Sequence, residues 1–394
     1  MEELFNYHNE LLKTVNNKFF RFLYHKIDWG QRMIAIKGPR GTGKTTLMLQ
    51  RIKFGLPKNV KALYITTEFP WFFTNTLFET ASEFYKHGGQ YLFIDEVHKY
   101  EHWSRELKLI YDGFPNLKII FSASSALEIY RGEADLSRRV ISYNLPGLSF
   151  REYLQFMHGY SFKAVNLENI LTDHPSIIEE ITHEIRILPL FLQYLKTGYL
   201  PIIRQIKPAL YPIAVQNIIN SSIEIDIRAV SNIPVHSLSK LKRLLGMIAQ
   251  VTPYEPNISS IAQKVGISRN TALNFIHSLE KARILNFLVR DKYGISNLQK
   301  PDKIFLENTN LNYTLEQFPN VGTIRETFFL NQVKNAGIQI TFPKKYDFLI
   351  EDKYIFEIGG KNKSVNDKDV FIAADGIETG WGNKIPLWLF GFLY

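Results

Sequence analysis

Between an apolar run and a helical one, the chain reads Gly38-Pro39-Arg40-Gly41-Thr42-Gly43-Lys44-Thr45, which is the strongest structural motif of the sequence. Its glycines let the backbone curl around a phosphate and aim N–H groups inward, as in the G-x-x-x-x-G-K-[ST] loop. We expect Lys44 to reach the β- and γ-phosphates of a nucleotide and the Thr45 hydroxyl to hold Mg²⁺. The run at 33–37 predicts a buried strand before the loop. Residues 46–52 predict a helix whose positive end adds to anion binding.

The predicted nucleotide-binding set is therefore residues 38–45 together with Thr46, where that helix begins. A Gly-rich turn that matches the motif by chance is the alternative interpretation.

Apolar runs recur after the loop, at 62–66, 91–94, 117–121 and 140–144. Continuous apolar strands separated by helical stretches predict a parallel sheet covered on both faces, in an α/β fold. Ligands of such sheets bind at the carboxyl ends of the strands. Two polar stretches fall at such ends, Asp95-Glu96 and Ser122-Ala123-Ser124-Ser125.

The acidic pair at 95–96 predicts the metal and water chemistry of nucleotide hydrolysis. We expect Asp95 to hold Mg²⁺, directly or through a water, as the acidic partner of Thr45. Glu96 would orient and deprotonate the attacking water. A strand that simply ends at the surface would present the same two residues.

Ser122 and Arg139 are two further catalytic candidates. Ser122 and Ser124 follow a strand expected beside that of the loop, so either could touch the γ-phosphate or the water; a Ser-rich turn is the alternative. An arginine near the γ-phosphate stabilises the charge that spreads in the transition state, in its own chain or from a neighbouring one. Arg138 and Arg139 precede the run at 140–144, and a solvated basic pair is the alternative for them.

The composition is that of a globular protein, with 394 residues, 45% hydrophobic and 22% charged. The length predicts roughly two to four domains. The chain has no cysteine, which excludes disulfides and thiolate metal sites. We see no signal peptide, and the apolar stretch at 385–394 is too short to span a bilayer. We therefore expect a cytoplasmic protein with no membrane partner.

The net charge of +9 is concentrated in one part of the chain. Residues 237–300 hold ten basic residues against three acidic ones, a local charge of +7. A basic module of this kind is typical of a polyanion binder.

The same part of the chain has the pattern of a helix-turn-helix at 258–284. Ala262 and Gly266 suit a close helix crossing and a turn, and Ser268 is a natural N-cap for the second helix. That helix has an apolar face and leaves four polar side chains for a groove or a phosphate: Arg269, Asn270, Asn274 and Lys281. Residues 285–290 predict the first strand of a wing. The predicted partner of residues 237–300 is double-stranded DNA, and docking to another protein is the alternative.

Residues 323–394 predict a helix at 324–335, strands at 338–342, 347–350 and 354–358, then a helix and a final strand at 387–394. This order is that of the restriction-endonuclease-like core. Its chemistry needs two carboxylates for Mg²⁺, for which Asp347 and Glu357 fit, with Glu326 as a third acid. The lysine expected two positions after Glu357 is missing, because that position is Gly359; Lys361 follows on the same strand face. Catalysis is therefore doubtful, and a hairpin kept for packing or for a partner is the alternative.

Several stretches together resemble the AAA+-type ATPases of bacteria and archaea that carry a poorly characterised, nuclease-like C-terminal domain. They are residues 38–45, 93–96, 121–125, and 136–139 followed by 145–154. The Leu-Ser-Phe-Arg-Glu sequence at 148–152 is the most particular to that family. Arg139 matches the family arginine, which is why we favour it over Arg138. Arg138 and Ala123 stand where the family more often has glycine.

The resemblance covers nearly the whole chain and implies ATP rather than GTP, with Mg²⁺. It implies a P-loop ATPase core of AAA+ type at 1–164, a helical lid at 165–232, a winged helix at 233–312 and a restriction-endonuclease-like domain at 313–394. We predict an Mg²⁺-dependent ATPase associated with DNA. A nucleotide-gated protein-interaction switch with an inactive nuclease-like domain is the alternative, and assembly into a homo-oligomer stays open.

Overall fold

The computed structural model describes residues 1–123, 136, 138–228, 233–253, 255–290 and 301–394. These residues divide into two compact units, Met1–Pro146 and Gly147–Tyr394. The domain boundaries expected at 164, 232 and 312 stay predictions.

The first unit is built on a parallel sheet. Its described strands are β1 (Met33–Lys37), β2 (Ala62–Thr66), β3 (Tyr91–Asp95), β4 (Lys118–Ala123) and β5 (Ile141–Asn144). They pair in the order β2-β3-β4-β1-β5, and all four pairings are parallel. Its described α-helices are α1 (Glu2–Thr14), α2 (Phe22–Lys26), α3 (Lys44–Gln50), α4 (Leu77–Lys86) and α5 (Trp103–Gly113). The predicted parallel α/β sheet is confirmed.

Both faces of this sheet are buried, as the continuous apolar strands predict. Met33 and Ala35 of β1 belong to one apolar cluster, and Ile34 and Ile36 belong to another on the opposite face. Because successive side chains of a strand alternate between faces, a five-residue apolar strand serves both clusters.

The edge strand β2 is covered by α1. The backbone N–H of Tyr64 donates a hydrogen bond of 3.0 Å to Nδ1 of His8. Burial lowers the pKa of His8 to about 4, so its ring is neutral at physiological pH and accepts this bond. A buried histidine thus satisfies an edge N–H group that would otherwise lack a partner.

The second unit begins with helical segments. Its described α-helices are α6 (Phe150–Tyr153), α7 (Leu167–Glu184), α8 (Ile187–Thr197), α9 (Tyr211–Ser221), α10 (Val235–Ala249), α11 (Ile258–Val265), α12 (Arg269–Lys281), α13 (Thr309–Leu315) and α14 (Val321–Asn335). The antiparallel strands β6 (Leu285–Leu288) and β7 (Lys303–Leu306) follow α12 as a separate ribbon. α6 begins with a capping box, in which Ser149 accepts from the N–H of Glu152 and the Glu152 side chain returns to the N–H of Ser149.

A mixed sheet follows α14 in the described chain. Its strands are β8 (Ile340–Thr341), β9 (Phe348–Ile350), β10 (Tyr354–Gly359), β11 (Val370–Ala374) and β12 (Lys384–Pro386). They pair in the order β12-β11-β10-β9-β8. The β8–β9 and β9–β10 pairings are antiparallel, whereas β10–β11 and β11–β12 are parallel.

Two expectations for this sheet are wrong. The helix expected after β10 is the strand β11, whose Val-Phe-Ile-Ala-Ala sequence is β-branched and aromatic at its start. The final strand expected at 387–394 is a 3-10 helix, Leu387–Phe392. Every residue of that helix is buried, and a short apolar run does not distinguish a buried helix from a buried strand.

Within the described ranges, no helix combines the length and apolar character that crossing a membrane requires.

Candidate functional site

The phosphate-loop sequence lies between β1 and α3, where parallel sheets bind ligands. A Cβ atom at Gly38 would lie 2.3 Å from the carbonyl oxygen of Leu145, so a side chain there would collide with backbone. Gly43 has a φ of 94° and caps the start of α3 in the left-handed region, which only glycine adopts easily. The glycines of the motif are thus required by close approach and by backbone conformation.

Lys44 is folded into this loop. Its Nζ donates hydrogen bonds of 2.9 Å to the carbonyl oxygens of both Gly38 and Pro39, and its side chain is buried. Pro39 and Arg40 are half-buried, whereas Gly41 and Thr46 are exposed. The loop carbonyls therefore hold the lysine at the place where the motif expects a phosphate contact.

Arg21 also braces the loop, and sequence reasoning missed it. Its guanidinium donates to the carbonyl oxygen of Thr42 at 2.5 Å and to that of Pro146 at 2.8 Å, from a fully buried position. This arginine ties the loop to the segment after β5. No motif marks it, because its partners are backbone atoms that any sequence could supply.

Asp95 accepts hydrogen bonds from three hydroxyl groups. Its Oδ2 accepts from the Thr45 hydroxyl at 2.5 Å and from the Tyr64 hydroxyl at 2.7 Å. Its Oδ1 accepts from the Ser122 hydroxyl. Burial, and then the Asp95 charge, raise the pKa of Tyr64, so this phenol stays protonated and donates. Thr45, Ser122 and Asp95 thus lie together, and Tyr64 is an addition that its place inside a strand concealed.

Ser122 lies behind the acidic pair. Its side chain is fully buried, and its oxygen also accepts the backbone N–H of Glu96 at 3.3 Å. The hydroxyl has no exposed surface in this structure, and the expected contact with a γ-phosphate or the water stays a prediction. Ser122 positions Asp95 and Glu96. The companion candidates Ser124 and Ser125 lie outside the described residues.

Glu96 adopts a left-handed backbone conformation directly after β3, with φ 54° and ψ 40°. Its carbonyl oxygen accepts from the Thr67 hydroxyl at 2.6 Å and from the Lys99 N–H at 2.9 Å. An αL glutamate is uncommon, and such strain is typical of functional sites. The backbone is thus fixed by its neighbours, and the carboxylate is placed beside Asp95 at the carboxyl end of the sheet.

Arg139 lies at the other end of the sheet. It precedes β5, which runs parallel to β1 with Ile141 opposite Ile34, whereas the loop follows β1. Its Nε and Nη2 donate to the Asp112 carboxylate at 3.0 and 3.1 Å, and this pairing lowers the pKa of Asp112. A strand of this length spans about 13 Å, so this end of the sheet lies away from the loop of the same chain. A role in a neighbouring chain stays a prediction.

The helix-turn-helix pattern forms α11 and α12. Gly266 turns the chain with a φ of 74°, and Ser268 caps α12 by accepting the Thr271 N–H at 3.1 Å. The four side chains expected to be available, Arg269, Asn270, Asn274 and Lys281, are all exposed. Positions 270, 274 and 281 share one helix face, because they are separated by whole turns.

Some of the basic residues of 237–300 already have acidic partners. Lys242 pairs with Glu224 at 2.5 Å, and Arg283 lies 3.7 Å from the buried Glu307. Arg290 is exposed and lies 3.9 Å from Glu255. Five others are exposed, namely Lys240, Arg243, Lys264, Arg269 and Lys281. Lys292 and Lys300 lie outside the described residues.

Two of the three candidate metal-binding carboxylates of the second unit are paired with lysines. Glu357 Oε1 lies 2.5 Å from Lys363 Nζ, and Glu326 Oε2 lies 2.7 Å from Lys303 Nζ. Asp347 accepts the Ile358 N–H at 2.7 Å. Burial raises the pKa of Asp347 to about 6, with smaller contributions from the charges of Glu326 and Glu357. In the described chain, no three His, Cys, Asp or Glu residues group as ligands for a metal ion.

Lys363, rather than Lys361, accompanies Glu357. A Cβ atom at Gly359 would lie 2.6 Å from both Cβ and Cγ of Lys363, so the lysine stem crosses the space that a side chain at position 359 would fill. Sequence reasoning missed this contact because Lys363 lies in the loop after β10, where strand parity no longer applies.

The sheet order, the loop sequence and the Thr45–Asp95 contact are consistent with a P-loop nucleotide-binding fold in the first unit. Residues 30–154 match the family model described as AAA domain, which supports an AAA+-type ATPase. Residues 188–321 match a second model, described as a domain of unknown function (DUF8612).

The uncharacterized protein MJ1637 of Methanocaldococcus jannaschii is 26% identical over 272 residues. The match covers 65% of this chain and 56% of that protein, so the chain spans only about half the length of this relative.

Two solved structures are similar at low scores. The Walker-type ATPase PABY2304 of Pyrococcus abyssi gives a TM-score of 0.41 at 11% identity, over 75% of this chain and 95% of that one. AMPPCP-bound DnaA from Aquifex aeolicus gives 0.28 at 14% identity, over 70% and 87%. TM-scores this low do not establish a shared fold for the whole chain.

Proposed function

We propose that this protein binds ATP with Mg²⁺ through residues 38–46 and hydrolyses it, with Glu96 as general base. The observation that carries the proposal is the 2.5 Å contact between the Thr45 hydroxyl and Asp95 Oδ2, two groups fifty positions apart in the sequence. It joins the phosphate loop to the acidic pair, as hydrolysis of a bound nucleotide requires.

The donor set at this contact fits Mg²⁺. Thr45 and Asp95 offer a hydroxyl and a carboxylate, the hard oxygen ligands that this cation prefers. Bound with the nucleotide, Mg²⁺ would neutralise charge on the phosphate oxygens. Ser122 and Tyr64 hydrogen-bond the same carboxylate, so Asp95 keeps its orientation without the ion.

Lys44 would act on the phosphates, and Glu96 would act on the attacking water. Lys44 exchanges its two carbonyl partners for phosphate oxygens and stabilises their charge. Glu96 takes a proton from the attacking water, a role that needs a carboxylate at a fixed place. Hydrogen bonds from Thr67 and Lys99 to the carbonyl oxygen of Glu96 hold its backbone in a fixed position.

Arg139 would serve a neighbouring copy of the chain. Its side chain is 29% exposed and paired with Asp112 at the end of the sheet away from its own loop. An arginine supplied by a neighbour is a known way to stabilise phosphoryl transfer. We expect ATP turnover per molecule to rise with protein concentration, and Arg139→Ala to abolish that rise.

Residues 233–312 would hold double-stranded DNA as a winged helix. The order of α10, α11 and α12 followed by the β6–β7 ribbon supports this, as do the exposed Arg269, Asn270, Asn274 and Lys281. Duplex affinity should fall steeply with salt, because phosphate contacts release counterions. The Arg269→Ala, Lys281→Ala double variant should bind roughly tenfold more weakly at low salt, and Lys207→Ala is the matched exposed control.

Absence of duplex binding at low salt would favour a nucleotide-gated protein switch. Phosphodiester cleavage is not part of the proposed function, because Glu357 and Glu326 each carry a lysine partner. The nuclease-like fold of residues 313–394 stays a prediction.

ATP turnover of Lys44→Ala tests the core of the proposal. We expect a loss of about 100-fold or more, since this lysine is the charge expected at the phosphates. Lys58→Ala, at an exposed position outside the site, is the control and should match the wild type. Turnover that survives in Lys44→Ala would contradict the proposal.

A further inference from the structure

The carboxylate of Glu96 has a buried neighbour to which the proposed function gives no role. His98 Nε2 lies 3.6 Å from Glu96 Oε2. The His98 side chain is 3% exposed and that of Glu96 is 18% exposed. The ring belongs to the 3-10 turn Val97–Lys99, which directly follows Glu96 and is tied to its carbonyl oxygen by the Lys99 N–H. Ring and carboxylate therefore share one rigid turn.

The direction of the Glu96 carboxylate depends on its side-chain torsions alone. The backbone is held by Ser122 and Thr67 from two other strand ends. Oε2 is buried, and none of the described residues forms a hydrogen bond with it. A buried carboxylate oxygen without a partner is costly, so the nearest polar group has a large influence on where the carboxylate points. His98 Nε2, 3.6 Å away, is such a group.

We propose that His98 is a positioning residue for Glu96, an inference that rests on the proposed ATP hydrolysis. The imidazole Nε2–H attracts Oε2 and leaves the other carboxylate oxygen directed at the water. In the reaction the water oxygen bonds to the γ-phosphorus, the bond from that phosphorus to the ADP oxygen breaks, and Glu96 takes the water proton. His98 keeps its own proton throughout. At 3.6 Å the pair is an electrostatic contact, and catalytic contacts are often long before substrate binds.

The test is steady-state ATP turnover of the full chain with His98→Ala, His98→Gln and His98→Leu. Misdirecting a general base costs about tenfold or more in kcat. We expect that loss in His98→Ala and His98→Leu, with the KM for ATP unchanged, because His98 belongs to the turn after β3 and not to the loop at 38–45. The Gln amide nitrogen can take the place of Nε2, so His98→Gln should keep kcat within about threefold. If the role of His98 were purely structural, His98→Gln and His98→Leu would lose the same fraction of kcat. Equal losses of kcat in those two variants would therefore overturn the proposal.

A double variant provides the second readout. If His98 acts through Glu96, Glu96→Gln and the Glu96→Gln, His98→Ala pair should have the same residual turnover, because effects of coupled residues do not add. A further tenfold loss in the pair would overturn the positioning role while leaving Glu96 as general base. A wild-type protein whose turnover does not depend on Lys44 would overturn the proposed function itself, and this inference with it.

Discussion

Two pairs of carboxylates stand near strand ends in this protein, and their neighbours differ. Asp95 and Glu96 follow β3, and the partners of Asp95 are the hydroxyls of Thr45, Tyr64 and Ser122. Asp347 and Glu357 lie at β9 and β10, and Glu357 is paired with a lysine. Hydroxyls orient a carboxylate without cancelling its charge, whereas a lysine cancels it. The first pair is therefore ready for a cation, whereas in the second pair Glu357 is already neutralised by Lys363.

The glycines of the two regions also have different roles. Gly38 allows the backbone at Leu145 to lie close to the loop, and Gly43 allows the left-handed turn into α3. Gly359 makes room for the stem of Lys363. A glycine in the first region thus opens a binding loop, and a glycine in the second lets a neighbouring lysine close over the strand.

The largest of the three effects that follow is expected for Gly38→Ala. The added methyl group would collide with the Leu145 carbonyl oxygen, so the loop must shift or the unit must lose about 1–3 kcal/mol of stability. ATP binding should weaken at least tenfold. Gly113→Ala is the control, because a Cβ atom there meets nothing within 4 Å, and it should be neutral or slightly stabilising. Equal ATP affinity in the two variants, measured by titration, would contradict the assignment of the loop.

A smaller effect is expected for Asp347→Asn and depends on pH. The pKa of Asp347 is raised from 3.8 to about 6, so the folded state binds the proton more tightly than the unfolded state. The unfolding free energy of the wild type should therefore fall by about 2 kcal/mol as pH rises from about 4 to about 6. Asp347→Asn should lack that fall and be more stable than the wild type at neutral pH. Urea unfolding across this pH range measures both effects. If the unfolding free energies of the wild type and of Asp347→Asn depend on pH in the same way, Asp347 is an ordinary surface carboxylate.

The smallest effect is expected for Lys363→Ala. Its side chain is 36% exposed, and ion pairs of this kind contribute less than about 1 kcal/mol. Lys361→Ala should have no effect, because that residue offers its backbone oxygen to Lys384. If chemical denaturation shows the larger loss of stability for Lys361→Ala, the assignment of Lys363 as the partner of Glu357 is wrong.

Sequence reasoning found the groups that local motifs specify. The loop at 38–45, the pair at 95–96, the parallel sheet and the cap at Ser268 follow from spacing and periodicity over a few residues. Arg21, Tyr64 and Lys363 were missed because their roles depend on contacts that no short pattern encodes. For a related reason, the sequence left open whether Arg139 acts in its own chain or in a neighbouring one. Its motif gives a position before a strand, and only the pairing of β5 with β1 shows which end of the sheet that is.

The central claim is that the pair in the first unit carries the chemistry and the pair in the second does not. ATP turnover of Glu96→Gln and of Glu357→Gln, measured side by side with duplex DNA present and absent, tests it most directly. We predict a loss of about 100-fold or more for Glu96→Gln with ATP binding retained, and wild-type turnover for Glu357→Gln. Wild-type turnover in Glu96→Gln would contradict the account, and so would a comparable loss in Glu357→Gln.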